Sequence, residues 1–128
     1  MLTLFTNITQ QLTPLERDTC IPLLLSILKE SHDDKRITGN QLCIVFKSQG
    51  LAVSGARLRK MVNYIRVMNL AAPAVVIGAF NGYFVTTDIQ IIKDQIESIQ
   101  GRIDAMNGFM DTMKAQLQSL KHQQCNAS

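Results

Sequence analysis

Two apolar rhythms divide the chain. In the first, Leu58, Met61, Val62, Ile65 and Met68 recur at i, i+3, i+4, i+7 and i+10, which on a helix gathers them into one buried stripe. At about 100° per residue, Lys60, Asn63, Ala56 and Val67 then point directly away from the stripe, with Arg59 and Arg66 on one flank and Arg57 and Tyr64 on the other. Beyond Leu70, Pro73 blocks further helix, and the β-branched run Val75-Val76-Ile77 predicts a strand that pairs across Gly78 to Gly82 with Tyr83-Phe84-Val85-Thr86. Asn81-Gly82 offers the positive φ of a tight hairpin turn.

The second rhythm is a heptad. From Ile89 the apolar spacing alternates 3 and 4 through Ile92, Ile96, Ile99, Ile103, Met106, Met110, Met113, Leu117 and Leu120. Such a run predicts a coiled-coil helix over 88–121, roughly 50 Å long, followed by a flexible tail over 122–128. A stripe of that length predicts a homo-oligomer joined through this helix, the alternative being a helix folded back on its own domain. Ile at both core positions leans toward trimers or higher, whereas two-fold DNA sites favour dimers; a dimer is expected, with tetramer or trimer as alternatives. Gly101 and Gly108 fall on the outermost face, where they weaken the helix without disturbing the seam. Asp88 and Lys93 are the only opposite charges at g and the following e, a weak guide to orientation.

Ahead of these segments, Thr13-Pro14-Leu15-Glu16 reads as a capping box with Pro at the first helical position. The helix it opens should run to about Glu30 or Ser31 with Leu24, Leu25, Ile27 and Leu28 inward, and Pro22 predicts a kink near Asp18 to Ile21 or a split into two. Residues 1–12 are expected as an N-terminal arm, either loose or a short helix. His32 to Arg36 is a charged loop, and Arg36-Ile37-Thr38 suits a short strand. Thr38-Gly39-Asn40-Gln41 is a second capping box, for a helix through Leu42, Val45 and Phe46 that ends with Gly50 as C′; Ser54 caps the next helix. The succession of helix, short strand, helix, turn, helix and hairpin over 13–87 is that of a winged helix-turn-helix domain. The expected class is thus mainly α with a small β-wing, followed by a long C-terminal oligomerisation helix.

Charge sharpens this picture. Residues 1–34 carry two basic and five acidic side chains, residues 35–87 seven basic and none acidic, and residues 88–128 four basic and five acidic. A basic segment that coincides with helix and hairpin points to a polyanionic partner. Lys60, Asn63 and Arg59 are placed to reach base edges in double-stranded DNA, while Lys47, Arg57, Arg66 and Ser54 are placed to hold phosphates. Phe80, Asn81 and Gly82 form the tip of the wing.

Other chemistry finds little support. Cys20, Cys43 and Cys125 are odd in number and lack a C-x-x-C, which suggests neither disulfides nor a metal site; the first two are expected in the core and the third as an exposed thiol. His32 and His122 lie outside any readable pocket, and no Gly-rich phosphate loop occurs, so neither an enzyme nor a cofactor is expected. No secretory signal or membrane span is read, and the expected location is the cytoplasm of a bacterial host cell.

Residues 39–87 resemble the winged-helix DNA-binding module of the bacterial biotin operon repressor. The matching marks are Gly39-x-Gln41-Leu42, Val53-Ser54, Asn63-Tyr64-Ile65-Arg66 and Gly82-Tyr83-Phe84. Over 13–120 the chain is similar to winged-helix proteins of bacteriophages and prophages, with Arg59, Lys60, Asn63, Arg66, Gly82, Tyr83 and Phe84 standing at their recurrent positions. The departure is at the wing tip, where Gly78-Ala79-Phe80-Asn81 replaces the usual Ser, Thr and Lys and directs Phe80 toward sugar, a minor groove or another protein. The resemblance implies an oligomeric, sequence-specific double-stranded DNA-binding protein acting as a phage-type transcriptional regulator or architectural factor. The alternatives are a protein-interaction module that docks on a host or phage protein and, less favoured for want of an aromatic stacking face, a replication accessory that binds single strands.

Overall fold

The structure, a computed structural model, describes residues 12–79 and 81–127. The expected arm therefore lies, apart from Leu12, outside the described residues. Among those residues the chain is mainly helical, with one two-stranded antiparallel sheet and a long C-terminal helix. It divides into two compact units, the first reaching Ile92 and the second starting at Lys93.

The first capping box forms: Thr13 N donates to Glu16 Oε1 at 2.9 Å and Glu16 N to Thr13 Oγ1 at 3.1 Å. The turn Glu16–Cys20 is π-helical and runs directly into α1, Ile21–Lys29. Pro22 has no N–H for the Asp18 carbonyl four residues back, and its ring would crowd that carbonyl in a regular α-turn. Widening the turn lets Ile21 N reach Glu16 O five residues back, so the expected kink is a π bulge rather than a break. Ile21, Leu24 and Leu28 of α1 are buried, whereas Leu25 and Ile27 are half-buried, a narrower core face than the spacing suggested.

Helix α2, Gly39–Ser48, begins at the second capping box, with Gln41 N on Thr38 Oγ1 at 3.1 Å and Thr38 N on Gln41 Oε1 at 2.8 Å. It ends in a Schellman motif: Gly50, at φ 77°, donates to Lys47 O at 3.0 Å, and Leu51 N to Phe46 O at 2.9 Å. Helix α3, Gly55–Val67, is capped by Ser54, whose Oγ accepts from Arg57 N at 3.2 Å. Asn69, at φ 56°, closes α3 with the same motif, Asn69 N to Arg66 O at 3.2 Å and Leu70 N to Ile65 O at 3.0 Å. The helix therefore stops at Val67, six residues before Pro73. Met68, expected on the buried stripe, is consequently a cap residue and exposed, while Leu58, Met61, Val62 and Ile65 are buried. With Leu42 and Phe46 of α2 and the α1 residues, these side chains form one core that also takes in Ala71 and Val76.

The hairpin pairs β1, Val75–Ala79, with β2, Gly82–Thr86, in the register Val75 to Thr86 through Ala79 to Gly82. Only residues 80 and 81 connect the strands, so Gly82, read from the sequence as a turn residue, belongs to β2. Its φ of 124° and the Ile37 carbonyl, 2.8 Å from where a Cβ would stand, account for glycine there. Ile37 pairs with Tyr83 through both of its backbone groups, at 2.9 and 2.7 Å. The expected strand over Arg36 to Thr38 is reduced to this one pair because the Thr38 amide is already committed to the α2 capping box. Ser31 Oγ accepts from Val85 N at 3.2 Å and fastens the end of α1 to β2.

Helix α4 spans Ile89–Ala127. Asp88 Oδ1 accepts from Gln90 N at 2.9 Å and Ile91 N at 3.3 Å, which satisfies two first-turn amides. The helix passes through residues 122–127, expected as a flexible tail; His-Gln-Gln-Cys-Asn-Ala contains neither Gly nor Pro to end it. A Cβ at Gly101 or Gly108 would meet nothing within 4 Å, as expected for an outer face. No helix of the described residues is long and apolar enough to cross a membrane.

Candidate nucleic-acid interface

Burial of Leu58, Met61, Val62 and Ile65 orients the rest of α3. Arg59, Lys60, Asn63 and Arg66 are exposed, Arg57 and Tyr64 half-buried. Lys47 is exposed in the last turn of α2, and Ser54 is exposed at the start of α3. Because the Ser54 oxygen accepts the cap bond, its O–H remains a donor. Among the described residues Lys47, Arg59 and Lys60 take part in no ion pair. Three of the seven sequence-assigned groups, Arg59, Lys60 and Asn63, thus share one face with their charged or amide ends in water.

Arg57, assigned to phosphate, is engaged within the protein. Its Nε donates to Glu16 Oε2 at 2.7 Å, and its second donor is Nη2 on Glu16 Oε1. The same carboxylate closes the Thr13 capping box, so one side chain both starts the first helix and anchors the first turn of α3. The acid-free window hid this pairing, since its acid comes from 41 residues earlier. The Arg57 hydrogen bonds, reinforced by the Thr13 amide and opposed by partial burial, hold the Glu16 carboxyl at about 2 instead of 4.5. Burial, and the Glu16 charge beside it, push the Cys20 thiol up.

A carboxyl whose folded-state pKa is depressed contributes stability above its unfolded pKa and loses it as pH falls through the folded value. Here the window runs from about 4.5 down to about 2. Because Arg57 is partly solvated, the pair contributes about 1–3 kcal/mol rather than the full shift. Urea denaturation of the native chain and of Glu16→Gln should therefore show a gap of this size at pH 6 that closes toward pH 2. A gap that stays constant across that range would mean that the Glu16 carboxyl titrates alike in the folded and unfolded chain, so that its charge adds no stability through Arg57.

Arg66 braces the hairpin. Its Nε donates to Val76 O at 3.4 Å, and a Cβ on Gly78 would stand 3.1 Å from its guanidinium, so that a larger residue there would have to displace the Arg66 tip. Four guanidinium N–H groups are left for other acceptors. Arg36, expected at the end of the charged loop and the start of the short strand, is a further organising residue. It donates to the Asp33 carbonyl at 3.1 Å, pairs with the Asp33 carboxylate at 2.5 Å, donates to Asn81 Oδ1 and lies 4.7 Å over the Phe84 ring. The Asp33-x-x-Arg36 spacing was the one local signal of it. Of the expected wing-tip residues, Asn81 is held by Arg36, Gly82 is buried in β2, and Phe80 lies outside the described residues.

Comparison of the chain with protein-family models, with curated proteins and with solved structures found no match.

Proposed function

We propose that the chain is a winged-helix protein that binds duplex DNA as a homo-oligomer, with α3 entering the major groove and β1–β2 as the wing. The observation that carries this reading is the outward face of α3, where Arg59, Lys60 and Asn63 stand exposed on a helix capped at both ends and fixed by its buried stripe. Lys or Arg matches the O6 and N7 acceptors of guanine, and Asn can bond adenine bidentately. Lys47, Ser54 and Arg66 supply phosphate contacts, while Arg57 positions the helix through Glu16. Self-association through α4 presents two such helices to a two-fold site, as a transcriptional regulator or architectural factor of the phage type requires.

The test is a salt titration of binding to an arbitrary duplex. Two domains with three to five phosphate contacts each give a log-log slope of roughly −5 to −9. Lys47→Ala should make the slope shallower by about 0.9 per copy, whereas Arg57→Ala, checked to be folded, should leave it unchanged. No binding at low salt would instead favour a protein-docking role for the same surfaces.

A further inference from the structure

We propose that α4 pairs with α4 of a second copy in parallel and in register, so that both amino-terminal units are joined to the same end of the pair. This rests on the self-association read above and adds its polarity. Of the ten seam positions Ile92 is half-buried, and the other nine are exposed by 40 to 70%. At roughly 100 Å² for each half-exposed large side chain the stripe offers on the order of 1,000 Å² per copy, above the ~800 Å² per partner of a standard stable interface. The opposite face, with Gly101, Ala105, Gly108, Thr112 and Ala115, offers no comparable stripe. A second copy supplies the one surface with the same uninterrupted 3-4 spacing.

The flanks decide the direction. Taking Ile89 as a, the charged e positions are Lys93, Lys114 and Lys121, with no acid among them. In an antiparallel pair e faces e′ and g faces g′. Full overlap of the seams would then set Lys93 against Lys114 of the other copy, twice by symmetry. Sliding the helices by one heptad one way replaces that contact with Lys93 against Lys121; sliding them the other way sets Lys93 against Asn107, and either slide leaves two of the ten seam positions of each copy unpaired. In the parallel pair g faces the following e′, which brings Asp88 to Lys93 and leaves Arg102 beside Asn107 and Phe109 beside Lys114. One arrangement has like charges in contact and the other has opposite charges. Attraction at a single pair is a weak guide, but the repulsion in the reversed pairing adds to it.

Cys125, exposed near the end of α4, allows a direct measurement on the full chain. With Cys43 replaced by Ala and Cys20 buried, a nitroxide on Cys125 reports the distance between the two C-terminal ends. Parallel helices 8–10 Å apart predict label separations under about 35 Å. Antiparallel overlap predicts about 60 Å. The charge reversal Lys93→Glu should weaken self-association roughly 5-fold at low salt, because it sets Glu beside Asp88. Separations near 60 Å, tighter association of Lys93→Glu, or a monomeric mass for the native chain would each overturn the proposal. Duplex binding by α3 is measured separately, so failure of the pairing is distinguishable from failure of the DNA-binding reading.

Discussion

Replacing Phe46 by Ala is expected to destabilise the amino-terminal unit by about 3–5 kcal/mol, half or more of what a small domain has to lose. Phe46 is fully buried, and it stands where the cores of α1, α2 and α3 meet. Removing the ring loses its transfer free energy and leaves a cavity that the rest of the core, which includes Leu42, Leu58 and Met61, fills only in part. The Phe46 carbonyl also accepts the Leu51 amide that closes α2, so the backbone there resists collapse into the void. Equilibrium urea denaturation at fixed protein concentration measures the change, the concentration being held because the proposed self-association would make the apparent stability depend on it. A loss below about 1 kcal/mol would show that Phe46 is not at the centre of the core.

The double replacement Lys60→Ala with Asn63→Ala should leave the fold intact, since both side chains are exposed and substitutions of that kind usually change stability by under about 0.5 kcal/mol. Its effect falls on DNA. A cognate duplex, obtained by selection from random sequence, should be bound roughly 30- to 25,000-fold more weakly for each bound copy, since two base contacts of about 1–3 kcal/mol each are lost. A random duplex loses only the Lys60 charge and should weaken less than about 10-fold, with a salt slope shallower by at most about 0.9 per copy. The ratio of the two losses is the informative quantity. Equal losses on cognate and random duplex would mean that α3 neutralises phosphates without reading bases.

Much of the fold was legible because the signals that start and stop helices act over a few residues. Thr13 with Glu16, Thr38 with Gln41, Ser54 and Gly50 each engage groups within four positions, and each is found in its expected role. The heptad that marks α4 is equally local, although nothing within it told that the helix would continue to Ala127. One miss is local and two come from distant segments. Pro73 was read as the end of α3, but Asn69 reached the left-handed conformation first. Gly82 was read as a turn, but the backbone of Ile37 packs where its side chain would be. Arg57 was read as a free cation, but Glu16 had it.

Periodicity and capping therefore determined by themselves where most of the helices begin, most of the core and which side of α3 stays in water. Tertiary structure alone decided which cations on that side remain available and what holds the hairpin. Glu16 meets Arg57 across 41 residues of chain, and Arg36 meets Asn81 across 45. Contacts at such separations leave no spacing to read; they exist only once the core has brought the segments together.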